Sequence, residues 1–509
     1  MAGRREDEMK QIERWDFIEL RLKAKNSDHP YQKKVQGLFE HAQESVTVDG
    51  FYDGDDVYKV RFMPRFTGVY QYTISGDDMP TQTGSFEVVK ATGNNHGPVH
   101  VANQYHFAYE DGTPHYSMGT TCYAWMHQNE NLQLETLKTL QTAGFNKIRC
   151  CIFPKHYDYN LAEPLTYPFL RGHKEGLDEA QVKKAIMMPP VENPDMNFDF
   201  FSYNVKHFQR IDERLKQLRD LNIEADLILF HPYDRWGNNK MTAAADDAYL
   251  KYVVARFAAY RNVWWSLANE YDLMPQKTTA DWERFASIIV QHVPYGHLRS
   301  IHNCIPFYDH SRPWITHCSL QRQDLYRHVE YTDEYRERWQ KPIVWDEIAY
   351  EGNINHGWGN ISPMELTRRF WEACLRGGYA GHGETYMHKD NILWWSHGGQ
   401  LHGQSAPRIQ FLHRILKQTP GPGLKRLPGN FDELVAGTDT MMDDGYRLYY
   451  YGFGRPSFRE FYFDEDTRYE VEVIDTWEMT ITFRGIHHGH FKVELPGKEY
   501  MAIRIKKVD

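Results

Sequence analysis

The chain has 509 residues, of which 41% are hydrophobic and 25% charged, and its formal net charge is −10. A chain of this length is expected to form two or three domains, and no apolar run approaches the roughly 20 residues that cross a membrane. Nucleic-acid phosphates need a Lys/Arg surface, so an acidic chain without a basic stripe argues against nucleic-acid binding. The charged first residues lack the apolar stretch of a secretory signal, which favours a cytoplasmic protein with reduced cysteines.

Residues 1–92 are predicted to form an N-terminal β-sandwich resembling carbohydrate-binding domains. Runs such as ESVTVDG, VYKVRFMP and GVYQYTISG alternate apolar and polar residues, and Gly and Asp turns separate them. The segment that follows, ATGNNHGPVH, contains two Gly, two Asn and a Pro. This composition predicts a linker.

Residues 98–418 are predicted to form a (β/α)8 barrel. Eight strand-like runs alternate with helix-like ones, for example Leu134, Leu137 and Leu140 at helical spacing. The strand-like runs are HYSMGTTCYAW, KIRCCIF, EADLILF, VWWSLANE, HLRSIHNC, WITHCSLQ, PIVWDEIAY and YAGHGETY. Alternating strands and helices predict a parallel sheet, and eight repeats fit a closed barrel. From residue 419 onward the runs are strand-like again, which predicts a small C-terminal β-sandwich.

Two carboxylates end apolar strands of the predicted barrel. VWWSLA runs directly into Asn269 and Glu270, and PIVW runs into Asp346 and Glu347. Barrel enzymes place their active sites at the carboxyl ends of the strands. Cleavage of a glycosidic bond with retention needs two such acids, one to protonate the leaving oxygen and one to attack the anomeric carbon.

Other interpretations of these acids stay open. A single strand-end Glu is as readily a buried ion-pair partner of a barrel arginine, although the pair at two strand ends favours chemistry. Asp346 competes with Glu347, because adjacent strand residues face opposite ways and only one can point into the barrel. Asp272 is a weaker rival of Glu270. Glu384, in the eighth strand, is a third inward acid and an alternative partner.

The motifs LANEYD and, 77 residues later, PIVWDE resemble the clan A glycoside hydrolases. GTTCYAWMHQ, AGFNKIRCCIFP and HPYDRWG resemble the apiosidase-like barrel group within them, whose members often carry flanking β domains. This resemblance implies that Glu270 is the general acid/base and Glu347 the nucleophile. It also implies that Arg149 steadies the nucleophile and that Asn269 binds the sugar 2-hydroxyl.

By the same resemblance, His231 ends the third strand and His317 contacts the nucleophile, whereas His302 is interpreted as a core histidine. The remaining candidate substrate-binding residues are Trp125, His127, Tyr233, Asp234, Trp236, Glu384, Trp394 and Trp395. Core packing is nearly as good an explanation for the tryptophans as sugar stacking. HHGH at residues 487–490 lies between two predicted strands, so a solvated turn is preferred to a metal site.

The expected reaction is double displacement by two glutamates, without a cofactor or metal, on a carbohydrate substrate. Short oligosaccharides or glycosides, cleaved from one end, fit a cytoplasmic protein. The Pro-rich segment 154–200 is expected to wall off the pocket. A transglycosylase and a non-catalytic carbohydrate-binding protein are the alternatives. Neither a nucleic-acid nor a membrane partner is expected, and homo-oligomerisation stays open.

Overall fold

The computed structural model describes residues 9–25, 29–171, 198–324, 326–388, 393–430 and 432–508. Most of the segment predicted to wall off the pocket, residues 172–197, lies outside the described residues. The chain forms two compact units, which are described separately. The first comprises Met1–His100, Tyr109–Thr113 and Cys151–Arg299, and the second comprises Val101–Ala108, Pro114–Cys150 and Ser300–Asp509.

The N-terminal strands form two sheets, ordered β1-β8-β7-β3-β4 and β2-β6-β5. Alternation along each strand sends apolar side chains to one face, and Phe39 of one sheet stacks on Phe62 of the other with ring centroids 4.2 Å apart. The strands are β1 (Gln11–Glu13), β2 (Ile18–Lys23), β3 (Val35–His41), β4 (Glu44–Asp49), β5 (Phe51–Tyr52), β6 (Val57–Phe62), β7 (Gly68–Gly76) and β8 (Met79–Val89).

The middle of the chain contains three small sheets and the barrel strands. The small-sheet strands are β9 (Val99–Ala102), β10 (His106–Tyr109) and β11 (Pro114–His115), and, in a separate pair, β14 (Phe169–Arg171) and β15 (Phe198–Tyr203). The barrel strands are β12 (Met118–Thr121), β13 (Lys147–Cys151), β16 (Glu224–Phe230), β17 (Val263–Ala268), β18 (Arg299–Ser300), β19 (Cys318–Ser319), β20 (Ile343–Trp345) and β22 (Tyr379–His382). Two short strands, β21 (Glu351–Gly352) and β23 (Glu384–Thr385), pair in parallel with each other.

The eight barrel strands match the eight predicted ones and confirm the (β/α)8 prediction. They form one sheet in the order β18-β17-β16-β13-β12-β22-β20-β19. An isolated parallel bridge between His302, just after β18, and Ser319 of β19 joins the two ends of this order. The strands are almost entirely buried, as expected for a parallel sheet covered by helices.

The helices begin at residues that cap their free N–H groups. Asn129, Thr242, Thr278 and Ser362 each accept a hydrogen bond from the first turn of the following helix. The helices are α1 (Glu130–Ala143), α2 (Val205–Asp220), α3 (Ala243–Phe257), α4 (Thr279–His292), α5 (Thr332–Trp339), α6 (Pro363–Leu375), α7 (Trp394–His397) and α8 (Ser405–Leu416). No helix in the described ranges is long and apolar enough to cross a membrane.

A buried ion network in the first unit ties the N-terminal strands to the helices of the barrel region. Asp212 of α2 accepts hydrogen bonds from Arg61 of β6 and from Arg256 of α3, with Nε of Arg256 2.8 Å from Oδ2. Glu19 of β2 lies 2.9 Å from Arg61 Nη2, and Asp53 lies 2.8 Å from Arg256 Nη2. Both guanidinium groups are therefore paired in the interior, as buried charges must be.

The C-terminal strands form a six-stranded sheet, ordered β24-β25-β26-β31-β28-β29, and a pair, β27-β30. Buried residues such as Val471, Phe461, Phe491 and Ile503 share one core. The predicted turn at residues 487–490 connects β29 to β30. The strands are β24 (Leu424–Leu427), β25 (Leu434–Thr438), β26 (Arg447–Tyr450), β27 (Phe458–Tyr462), β28 (Arg468–Asp475), β29 (Thr480–His487), β30 (His490–Glu494) and β31 (Met501–Val508).

Candidate active site

Glu347 lies just after β20 and is surrounded by three hydrogen-bond donors of the second unit. Its Oε1 accepts a short hydrogen bond from the Tyr123 hydroxyl, lies 3.5 Å from Arg149 Nη1, and lies 3.3 Å from His302 Nε2. Burial alone would raise the pKa of the Glu347 carboxyl, but His302, Arg149 and Tyr123 together hold it below its usual value. The carboxylate is ionised, and 15% of its side chain is exposed.

Asp346 is bound on the same side of β13 as Glu347. Its Oδ1 lies 2.7 Å from Lys147 Nζ, and Lys147 and Arg149 are two residues apart on β13, so they share a face. The prediction that only one of the two acids faces inward was wrong, because it assumed that strand alternation continues through both residues. Strand β20 ends at Trp345, and alternation does not apply beyond it. Asp346 is nevertheless closed off, since only 2% of its side chain is exposed.

A hydrogen-bond chain joins the two acids. Ser319 Oγ donates its single proton to Asp346, and His302 Nδ1 lies 3.0 Å from the same oxygen. Burial raises the pKa of Asp346, but Lys147, Arg149 and His302 outweigh that effect and hold it low. Asp346 can therefore only accept, so Ser319 Oγ must accept from His302 Nδ1–H. The other ring nitrogen of His302, Nε2, lies 3.3 Å from Glu347 Oε1 and completes the chain.

The histidine beside Glu347 is therefore His302, which the sequence had suggested as a core residue. His317, the predicted neighbour, is fully buried, with Nδ1 3.1 Å from Thr316 Oγ1 and its ring edge-on to Phe107. Burial, with Lys147 nearby, lowers the pKa of His317 to about 3, so its ring is neutral.

Glu270 lies in the first unit, directly after β17, in the left-handed region with φ 51°. Such a backbone is strained for a residue with a side chain and is often found at functional sites. Glu270 Oε2 accepts a short hydrogen bond from the Tyr233 hydroxyl and another, 3.1 Å long, from Asn269 Nδ2. The residue is 7% exposed. A tyrosine and an amide therefore orient this carboxyl group.

The other candidates from the third strand and its loop are also in the first unit. His231 Nε2 lies 3.2 Å from the carbonyl of Phe153. Asp234 accepts backbone N–H groups of Trp236 and Asn239 at 2.9 and 2.8 Å, so its carboxylate shapes its own loop. Trp236 is 2% exposed and donates from Nε1 to Glu163.

Among the tryptophans of the second unit, Trp395 rather than Trp394 lies beside the Glu347 cluster. Its ring is edge-on to Tyr123 at 5.6 Å and 5.0 Å from that of Trp358. Trp394 donates from Nε1 to Thr120 and is 2% exposed. Trp125 and His127 form a buried 3-10 turn at Trp125–His127.

Glu384 does not face the Arg149 side of the sheet. Thr121 is in register with Arg149 and Thr120 with His382, so His382 lies on the opposite face. Glu384, two residues further along, accepts the backbone N–H groups of residues 402 and 403. The expectation of an inward acid fails because the chain bends into a separate strand, β23, after β22.

Sequence reasoning missed Tyr123 as well as His302. Both follow barrel strands, β12 and β18, in the way the chosen candidates do. Position after a strand was the available signal: His302 was interpreted as a core residue in spite of it, and Tyr123 was not singled out.

Two family models match parts of the chain on either side of the barrel strands. Residues 11–77 match the family model "Domain of unknown function (DUF5060)", and residues 432–506 match "Domain of unknown function (DUF5605)". No curated protein matches the chain.

Solved structures provide a more extensive match. A candidate glycoside hydrolase from Bacteroides vulgatus ATCC 8482 is 35% identical, with a TM-score of 0.89, covering 98% of this chain and 100% of that one. A family 5 glycoside hydrolase from the same organism shares the fold at 14% identity and a TM-score of 0.58, covering 82% of this chain and 94% of that one. With 35% identity over nearly the full length of both chains, this protein belongs to the glycoside hydrolase family that the first of these structures represents.

Proposed function

We propose that the protein is a retaining glycoside hydrolase in which Glu347 is the nucleophile. The observation that carries the proposal is the environment of Glu347: an ionised, partly exposed carboxylate held by Arg149, His302 and Tyr123. A nucleophilic carboxylate has to be charged and reachable, and its neighbours have to orient it toward the anomeric carbon. Asp346 is charged but enclosed, which favours Glu347 over its neighbour.

Glu270 is proposed as the general acid/base. In the first step Glu347 attacks the anomeric carbon while Glu270 gives its proton to the leaving oxygen. In the second step Glu270 takes a proton from water, and that water displaces the carboxylate of Glu347 from the sugar. Tyr233 and Asn269, which both bind Glu270 Oε2, support this role because they hold the carboxyl group in one orientation.

The finer features of the function follow from the sequence resemblance. We infer a catalytic domain over residues 98–418, since the two family models match only outside these bounds. Membership of the apiosidase-like group and exo-action on short oligosaccharides or glycosides belong to the same proposal.

The test is a screen of chromogenic pyranosides and furanosides with wild type, Glu270→Ala, Glu347→Gln and the control Glu433→Gln, whose carboxylate pairs with Arg459 in the C-terminal sheet. Wild type and control should release the chromophore, and Glu347→Gln should be inactive. Glu270→Ala should lose about 10²–10⁴-fold on substrates with poor leaving groups and far less on activated ones.

The identity of the first product separates the alternatives. A retaining hydrolase releases sugar with the anomeric configuration of the substrate, observable by NMR before mutarotation. A transglycosylase instead transfers the sugar to an added acceptor in preference to water. If wild type binds sugars without turning any over, or if Glu270→Ala keeps full activity on poor leaving groups, the proposal is wrong.

A further inference from the structure

Two buried glutamates of the second unit meet a buried histidine on the face of the sheet opposite Arg149. Glu351 of β21 and Glu384 of β23 are paired in register, and they are 0% and 1% exposed. His382, at the end of β22, is also 0% exposed. One ring nitrogen of His382 and one carboxylate oxygen from each glutamate all lie within 4.8 Å of one another.

The two carboxylates are held by backbone amides rather than by basic side chains. The N–H groups of His402 and Gly403 lie 2.6 and 2.7 Å from the oxygens of Glu384. The amide and hydroxyl of Ser405 lie 3.2 and 2.8 Å from Glu351 Oε1. In the described ranges, no Lys or Arg makes an ion pair with either glutamate, so two negative charges share one buried space.

The histidine supplies an independent indication of a ligand. Its Nδ1 lies 2.9 Å from Thr120 Oγ1, whereas its Nε2 is buried and has no hydrogen-bond partner within the described part of the chain. A buried polar atom normally finds a partner, and an orphaned one calls for an explanation such as an ion or a water molecule. An imidazole nitrogen with a free lone pair is a good metal ligand.

We propose that Glu351, His382 and Glu384 bind one divalent metal ion of the zinc or manganese type. One imidazole and two carboxylates suit these metals, and three protein ligands leave a fourth position for water. Ligand atoms about 2.1 Å from a tetrahedral metal lie roughly 3.4 Å apart, so ligand atoms now within 4.8 Å of one another would approach by at most about 1.4 Å on binding. A charge of +2 neutralises the two carboxylates.

A glycine leaves room for an ion beside the two carboxylates. Gly403 keeps the space open, because a Cβ there would overlap the Glu351 carboxylate and lie 2.7 Å from Glu384 Oε2.

Such an ion would be structural rather than catalytic. Both carboxylates accept hydrogen bonds from residues 402–405, the turn that leads into α8. A metal bound to them would therefore fix this turn to β21 and β23. The inference is independent of the proposed glycosidase function.

The test uses untagged full-length protein, stripped with a chelator and dialysed against Zn²⁺, Mn²⁺ or Ca²⁺ separately. Wild type should retain about one equivalent of Zn²⁺ or Mn²⁺ per chain by mass spectrometry, and its Tm should rise with the logarithm of the metal concentration. Glu351→Gln and His382→Gln should each lose the bound metal and the Tm response, whereas the control Glu433→Gln should keep both.

Three results would overturn the proposal. Wild type could retain well under one equivalent of Zn²⁺ and Mn²⁺, with a Tm that does not respond. Glu351→Gln and His382→Gln could retain as much metal as wild type, which would place the ion elsewhere. Selective retention of Ca²⁺ alone would contradict the assigned role of the imidazole. The wild-type measurement decides even if a variant fails to fold.

Discussion

Glu347 and Glu384 follow neighbouring strands of one parallel sheet, β20 and β22, yet their surroundings are opposite. Glu347 touches Arg149, His302 and Tyr123, which lower the pKa of its carboxyl. Glu384 touches backbone amides and lies beside Glu351, and burial raises the pKa of its carboxyl to about 7. The comparison shows that position after a barrel strand does not define a role. The face of the sheet and the charge of the partners define it.

The strongest way to break this comparison is to neutralise each acid in turn. Glu347→Gln removes the proposed nucleophile, and kcat should fall by a factor of about 10⁴ or more, as when other covalent catalysts lose their nucleophile. Glu384→Gln should reduce kcat at least a hundredfold less. The measurement is steady-state hydrolysis of the best substrate from the screen. Equal losses of kcat for the two variants would show that the residues after β20 and after β22 share one function.

A third buried acid extends the comparison to a carboxylate paired with cations outside the candidate site. Asp212→Asn leaves Arg61 and Arg256 without their shared partner, and the free energy of unfolding should fall by roughly 3–5 kcal/mol. Urea denaturation measures this loss, with the exposed Asp466→Asn as control. The comparison would need revision if Asp212→Asn unfolded at the wild-type midpoint.

The pH dependence of stability sharpens the comparison at Glu384. Its folded pKa of about 7 lies above the ordinary glutamate pKa of 4.5, so the folded state binds the extra proton between these pH values. Stability from this group is therefore present below about pH 4.5 and is lost as the pH rises through 7, by roughly 3 kcal/mol.

Urea titrations of the chelator-treated protein between pH 4.5 and 8 measure this slope. Glu384→Gln should flatten this slope. The loss of one backbone N–H contact should lower the free energy of unfolding of the variant by the same amount at every pH. Saturating Zn²⁺ or Mn²⁺ should also flatten the wild-type slope, because bound metal keeps the carboxylate ionised. An identical slope in wild type and Glu384→Gln would contradict the assigned pKa.

The smallest expected effect concerns the partner of Glu347. His302→Gln removes a group that lowers the pKa of the nucleophile, so that pKa should rise. Since the nucleophile must be ionised, the acid limb of the kcat/KM profile should move to higher pH by about one unit. At a given pH on that limb, kcat/KM should therefore be about tenfold lower than in wild type. Ser319→Ala should shift the limb in the same direction but less. An unchanged limb would reduce His302 to a packing residue.

Much of the architecture was predictable because it depends on local patterns. Eight apolar runs separated by helical spacing indicated the barrel, and each run contains one of its strands. Asn269 with Glu270, and Asp346 with Glu347, were found because each pair directly follows such a run. In contrast, the choice between Trp394 and Trp395, or between His302 and His317, depends on which way each side chain turns, and neighbouring or similar residues give no local signal of that.

The sequence by itself determined the alternation of strands and helices, the strand ends that carry acids, and the resemblance to glycoside hydrolases. Only the tertiary structure decided that Tyr123 and His302 hold Glu347, and that Glu351 and Glu384 share a buried space with His382. These contacts join residues far apart in the chain, and they depend on strand register, sheet face and the bends after each strand. Such features arise only when the whole barrel packs, because a buried charge is stable only where the fold places a partner beside it.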